Sequence, residues 1–191
     1  MKKTLKIAVI PGHSKSHQGA KNATLDVSEY LYNLDVCRGV FDKLFFKNYI
    51  KPYIFLRPKG KYKTSMEELG KLLKVFKIDI ALEFHCNAAT NKKATGHEIW
   101  IHNKTSPETI EAAGILNKGM GFIFENRNRG VKFADKNSRG YHFLNMPGIR
   151  CMILEPGFLS NDAEAQNLVS NQDKYINGIA KYIALMTEVV F

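Results

Sequence analysis

The chain has 191 residues, 45% of them hydrophobic and 24% charged, with 14 glycines and 6 prolines. That length suits one domain with a core that needs no metal or disulfide staple, and the ordinary, evenly spread apolar content excludes collagen-like, disordered and coiled-coil chains. Lysine and arginine number 28 against 18 acidic residues, a net charge of +10, which favours an anionic partner (nucleic acid, an acidic membrane surface, a cell-wall polymer) or simply serves solubility.

In chain order, Met1-Lys2-Lys3 imitates a signal peptide, but Lys6 breaks the stretch and residues 7–10 are too short for an export core. No run approaches the roughly 20 apolar residues of a membrane-spanning helix. A cytoplasmic site of synthesis is expected. Residues 5–10 read instead as a core strand ending at Pro11-Gly12, and a polar loop (14–22) leads into a helix over about 24–47. That helix repeats Val27, Leu31, Leu34, Phe41 and Leu44 on one face. Residues 53–56 form a short strand closed by Arg57-Pro58. Ser65-Met66-Glu67-Glu68 reads as a capping box, followed by a helix with Leu69, Leu72, Leu73 and Phe76 inward. Strands are expected at 78–85 and 96–101, and Ser106-Pro107 starts a helix running to about Phe124. Residues 126–139 read as a polar, arginine-rich loop. A strand at 151–155 stops at Pro156-Gly157, and two helices close the chain, the last with Ile176, Ile179, Ile183 and Val189 on one face.

Strands separated by helices predict an α/β fold: a single domain over residues 1–191, three-layer αβα, with a mostly parallel twisted sheet and no separate wall-binding domain. Cys37, Cys86 and Cys151 are odd in number and form no C-x-x-C pair, which points to buried packing rather than disulfides or a cysteine metal cage.

In open sheets of this kind, sites gather beyond the carboxyl ends of the strands. Three such ends carry chemistry: His13, His85 and Glu155, with Glu29 about one and a half turns into the first helix and Asn33 one turn beyond it. Two histidines and a carboxylate are a common zinc set with a fourth position for water, whose pKa a bound zinc lowers to about 7. A further carboxylate can then move protons. Taken singly, each residue has an ordinary explanation. His17, His97, His102 and His142 are also available, so spacing alone does not choose the ligands.

The words around these residues do. Ile7-Ala8-Val9-Ile10-Pro11-Gly12-His13 followed by Gly19-Ala20, Ser28-Glu29-Tyr30-Leu31-Tyr32-Asn33-Leu34, Phe84-His85-Cys86-Asn87-Ala88, Gly96-His97-Glu98-Ile99-Trp100, Arg129-Gly130-Val131-Lys132 and Glu155-Pro156-Gly157-Phe158-Leu159-Ser160-Asn161 occur in that order. Together they resemble the zinc-dependent N-acetylmuramoyl-L-alanine amidases of the amidase-3 family over essentially the whole chain. The resemblance implies Zn2+ held by His13, Glu29 and His85, with Glu155 catalytic. It implies cleavage of the amide between the lactyl group of N-acetylmuramic acid and L-alanine in peptidoglycan. An anionic cell-wall polymer then becomes the expected partner of the basic surface, and no nucleic acid is expected. Release by phage lysis or mother-cell lysis would bring such an enzyme to the wall.

The chain departs from the pattern in places. Ser14-Lys15 replace two glycines, His17 stands where the family has aspartate and could compete as a ligand, and Glu83 replaces serine on the same strand face as His85. A zinc carboxypeptidase or other N-acyl amino-acid hydrolase, and a non-catalytic basic module binding wall or nucleic acid, are the rival readings.

Overall fold

The first strand, β1 (Leu5–Pro11), shows how the sheet is buried on both faces. Ile7 and Val9 join one apolar cluster while Ala8 and Ile10 join another, as the two-residue period of a strand requires. The computed structural model describes residues 3–191, so Met1 and Lys2 of the signal-like start lie outside the described residues. After β1 the chain forms a short hairpin, β2 (Lys21–Asn22) with β3 (Val27–Ser28), and then α1 (Glu29–Phe45), β4 (Ile50–Ile54), α2 (Tyr62–Val75), β5 (Ile80–Phe84) and β6 (His97–His102). There follow α3 (Pro107–Phe124), β7 (Asn128–Ala134), α4 (Tyr141–Leu144), β8 (Arg150–Glu155), α5 (Asp162–Ser170) and α6 (Gln172–Val189).

Among the described residues the main sheet has six strands in the order β4-β1-β5-β8-β6-β7. All neighbours run parallel except β6 with β8, which are antiparallel. One face packs on Val36 and Val40 of α1, Leu116 and Met120 of α3, and Ile179 and Ile183 of α6. The other packs on Met66, Leu69 and Leu73 of α2 and Phe143 of α4. The expected three-layer, mostly parallel architecture is therefore present. Cys37, Cys86 and Cys151 are free and buried, as expected.

Four local expectations are corrected. The helix expected from residue 24 starts at Glu29, because residues 21–28 pair as the β2–β3 hairpin and Ser28 caps the helix, accepting from Leu31 N at 3.5 Å. Leu31 is consequently half exposed, and Val36, Cys37 and Val40 face the core. Ser65 is no N-cap: α2 has already begun at Tyr62, and Ser65 Oγ donates to Pro58 O at 2.7 Å. Leu72, Phe76 and Val189 lie exposed rather than inward. The arginine-rich loop contains β7, an edge strand whose polar and cationic residues suit an unpaired edge and hide its strand character.

The central register sets the site. Pro11 lies opposite Phe84 and Phe84 opposite Leu154. Two further bonds, Gly12 N to Phe84 O at 2.7 Å and His85 N to Leu154 O at 2.9 Å, carry the pairing past the strand ends. His13, His85 and Glu155 therefore leave the sheet at one edge.

Close helix packing supports that edge from below. Gly178 of α6 meets Ile123 of α3, and Gly119 of α3 meets the Tyr182 ring of α6; a Cβ would come within 2.6 Å and 2.4 Å of them. Gly178→Leu should therefore overpack the α3–α6 contact and lower stability by about 1–3 kcal/mol, read as a reduced denaturation midpoint; an unchanged midpoint would contradict this packing.

Candidate active site at the carboxyl edge of the sheet

Glu29 is the first residue of α1, not one and a half turns into it. There its carboxylate profits from the positive end of the helix, and backbone bonds hold the helix start against the preceding loop: Glu29 N to Ala20 O at 2.9 Å and Tyr30 N to Gln18 O at 3.0 Å. Its side chain is 3% exposed as a residue and has four partners. Oε2 accepts from Ala20 N at 2.8 Å and lies 3.0 Å from His13 Nε2, while Oε1 accepts from Cys86 N at 3.0 Å and lies 2.9 Å from His85 Nδ1. Burial opposes ionisation of Glu29, but the two histidines outweigh it and hold the carboxyl far below the usual range. His85 responds in the opposite sense: burial disfavours its charge, yet Glu83, Glu29 and Glu155 raise its pKa well above the ordinary value.

His13, Glu29 and His85 thus come together as the sequence predicts, each offering a ligand atom, all within 4.8 Å of one another. Two imidazoles and a carboxylate at this separation fit zinc, which takes nitrogen and oxygen ligands at about 2 Å. The backbone is shaped for them. His13 itself sits at φ 68°, an uncommon conformation for a residue with a side chain. A Cβ on Gly12 would stand 2.5 Å from the His85 ring, and one on Gly19 (φ +74°) would meet both the Glu29 carboxylate and the His13 ring. His17 does not join the cluster: it is exposed and its Nδ1 lies 3.2 Å from Ser16 Oγ. His97 is buried elsewhere, with Nδ1 2.6 Å from Asn126 Oδ1.

Glu155 ends β8 and lines the same cavity as the three donors. Its Oε2 is shielded from solvent and has no hydrogen-bond partner. Burial, opposed by His85 and reinforced by Glu29, Glu98 and Glu83, pushes its pKa up to about 8. The turn that follows is fixed by buried Glu164, which accepts from Thr95 Oγ1, from Gly96 N at 2.8 Å, from Phe158 N at 2.6 Å and from Asn126 Nδ2 at 3.2 Å.

Sequence reasoning passed over two cations. Arg57, read as a strand terminator, reaches Glu83 Oε1 at 2.7 Å. Arg129, quoted only as part of a word, reaches Glu98 Oε2 at 2.7 Å and lies over the Phe158 ring at 5.1 Å. Glu98 also accepts from Asn87 Nδ2 at 3.0 Å and Trp100 Nε1 at 3.2 Å. The available signal was an acidic residue inside each of two apolar strands, since a carboxylate buried there needs a counter-charge. The cavity over these groups measures about 750 Å³ and is bounded on its far side by residues 136–142, including Lys136, Arg139 and Tyr141.

A three-layer αβα protein that gathers a metal-type donor set beside an unpaired carboxylate at one sheet edge has the framework of a metal-dependent hydrolase. The sequence profile of the N-acetylmuramoyl-L-alanine amidases, amidase-3, matches residues 7–185, and the chain belongs to that family. It is a peptidoglycan hydrolase of a family that is generally zinc-dependent. A curated relative named for the same activity, from Buchnera aphidicola subsp. Baizongia pistaciae (strain Bp), is 24% identical over 97% of this chain and 95% of its own length. The fold matches the crystal structure of N-acetylmuramoyl-L-alanine amidase from Clostridium difficile 630 at TM-score 0.85, 21% identity, covering 98% of this chain and 99% of that one. It also matches the catalytic domain of CD27L endolysin, described as targeting Clostridia Difficile, at TM-score 0.78 and 23% identity, covering 95% and 97%.

The Glu98–Arg129 pair allows a test of the site's frame. Burial works against Glu98 ionising, but Arg129, then Asn87 and Trp100, lower its pKa below 4.5. A depressed carboxylate stabilises the fold above its unfolded pKa and loses that contribution as pH falls through its folded value. Arg129→Ala should cost about 2–3 kcal/mol near neutrality, between the values for exposed and fully buried pairs because Arg129 is partly exposed. The deficit should shrink as pH drops below 4.5. Denaturation of both proteins across this range checks it; a pH-independent deficit would assign the loss to packing alone.

Proposed function

We propose that His13, Glu29 and His85 hold a zinc ion and that Glu155 moves the protons as the lactyl–L-alanine amide of peptidoglycan is hydrolysed. The observation that carries this reading is the unpartnered Glu155 Oε2 in the same cavity as three donors within 4.8 Å of one another. When bound, zinc supplies Lewis-acid polarisation of the substrate carbonyl and acidification of water. Glu29 and the two histidines are already held in place by backbone donors, sheet register and Gly12, so little ordering is needed on binding.

Glu155 takes a proton from the attacking water as the new C–O bond forms. It returns that proton to the alanine nitrogen as the C–N bond breaks, leaving a carboxylic acid and a free amine. Its oxygen left without a partner in the cavity can both accept and donate that proton. The cavity of about 750 Å³ suits a muramoyl-peptide fragment. Its exposed Lys136 and Arg139, without an ion pair among the described residues, suit the carboxylates of a stem peptide. Within residues 1–191 a single catalytic domain then both cuts the wall and is drawn to its anionic polymers by the net charge of +10.

Two measurements test this. Glu155→Gln preserves shape but removes the base, so turnover on digested peptidoglycan should fall about 10²–10⁴-fold while zinc content stays near that of the parent protein. His85→Ala should lose both zinc and activity. Loss of zinc from Glu155→Gln would make Glu155 a ligand, and mass spectrometry must find stem peptides released with a free L-alanine amine and glycan strands left intact, since a carboxypeptidase would not produce them.

Wall attraction is tested with salt. Exposed charge is screened over roughly 8 Å at physiological ionic strength. Activity on whole wall should therefore fall as salt rises, while cleavage of a small muramoyl-peptide stays level. A flat profile on whole wall would return the charge to solubility.

A further inference from the structure

The His85 ring is addressed at both nitrogens by carboxylates of different kinds. Nδ1 lies 2.9 Å from Glu29 Oε1, within the donor cluster, whereas Nε2 lies 3.1 Å from Glu83 Oε2 on the far side of the ring. Glu83 is fully buried, and its other oxygen receives Arg57 Nη2 at 2.7 Å. Arg57 is itself packed over the Tyr62 ring at 5.2 Å. Glu83 Oε2 is close to Nε2 but off the line of an aligned hydrogen bond, and it has no other partner. A Cβ on Gly12 would come within 2.6 Å of His85 Cε1, Nδ1 and Nε2, so the glycine gives the ring its place.

We infer that Glu83, clamped by Arg57, is a positioning residue that fixes the tautomer and orientation of His85 so that Nδ1 is free to bind the metal. This inference rests on the reading that His13, Glu29 and His85 hold zinc.

The physical argument is one of donor and acceptor. An imidazole that binds a metal through one nitrogen carries its proton on the other, and a hydrogen-bond acceptor at that second nitrogen selects this form. An ionised carboxylate only accepts. Without metal each ring nitrogen faces an acceptor, Glu29 at Nδ1 and Glu83 at Nε2; when zinc takes the Nδ1 lone pair, Glu83 remains as the acceptor that keeps the proton on Nε2. Arg57 supplies the counter-charge without which a buried carboxylate at this position would be too costly to retain. It also determines which way a neutral replacement must turn. In Glu83→Gln the amide oxygen is held by Arg57, so the amide NH2 points at His85 Nε2. That donor favours the opposite tautomer, with the proton on Nδ1 where the metal should bind. Removing Arg57 as well frees the amide to turn its oxygen to Nε2.

The experiment measures zinc affinity by competition with a chelator, and the melting temperature of the metal-free protein, for the full chain and for Glu83→Gln, Arg57→Met and the double variant. The parent should bind one zinc. Glu83→Gln should bind it about 10–100-fold more weakly, and the double variant, with no buried charge left unpaired, should recover part of that loss. A purely structural role for the pair predicts lower melting temperatures with affinity unchanged. The inference is overturned if Glu83→Gln binds zinc within about twofold of the parent, or if the double variant binds no better than Glu83→Gln. Should Glu83→Gln fail to fold, the double variant is compared with Glu83→Leu in the same Arg57→Met background, which has no acceptor at Nε2: tighter zinc binding with Gln supports the argument, and equal or weaker binding rejects it. A parent chain that takes up no zinc overturns the three-donor site itself, and this inference with it.

Discussion

The carboxylate of Glu29 is the point at which separate parts of the chain are tied together. Its two oxygens take backbone N–H groups from Ala20, in the loop after β1, and from Cys86, just beyond β5, while facing His13 and His85. A buried anion without such partners would cost several kcal/mol. The helix start, the loop and the strand end must therefore converge if the carboxylate is to stay where α1 puts it. Gly19 at φ +74° and Gly12 beneath the His85 ring leave the space in which that convergence is possible.

Around this knot the acidic residues divide by what compensates them. Glu83 has Arg57 and Glu98 has Arg129. Glu164 has no cation among the described residues, but its oxygens accept from four donors that lock the turn after β8. Among the described residues two buried carboxylate oxygens are left over: Glu83 Oε2, which faces His85 Nε2 at 3.1 Å, and Glu155 Oε2, whose carboxylate lines the cavity. The site thus consumes the charge of its supporting carboxylates within the frame and leaves one carboxylate free for chemistry. Paired buried charges add little net stability; here they determine which oxygen remains available.

Much of this was legible from residues alone. Short β-branched and leucine-rich runs mark β1, β5 and β8, and the parallel-sheet rule places His13, His85 and Glu155 on one edge. Glu29 was found by its sequence word, although its local setting was misread. The two-residue strands before α1 carry no period, so the hairpin that makes Glu29 the first helical residue leaves no pattern to read. β7 was hidden for a related reason, since an edge strand of Asn, Arg, Gly and Lys has none of the apolar alternation on which strand recognition depends. Arg57 and Arg129 act across long sequence separations, and a single sequence contains no signal that pairs residue 57 with 83 or 98 with 129.

The strand order has a temporal meaning as well. Among the described residues β8 is the strand that pairs with both halves of the main sheet, β4-β1-β5 on one side and β6-β7 on the other, yet it is the last strand of that sheet to leave the ribosome. A nascent chain that has emerged as far as residue 149 has all the other strands of the main sheet but not the one that lies between β5 and β6. Contacts so distant along the chain form slowly and only once both partners exist. Glu155 arrives on the same segment that completes the sheet. A protein able to dissolve a cell wall is therefore built so that the piece finishing its scaffold also delivers its free carboxylate, and neither is present until synthesis is well advanced.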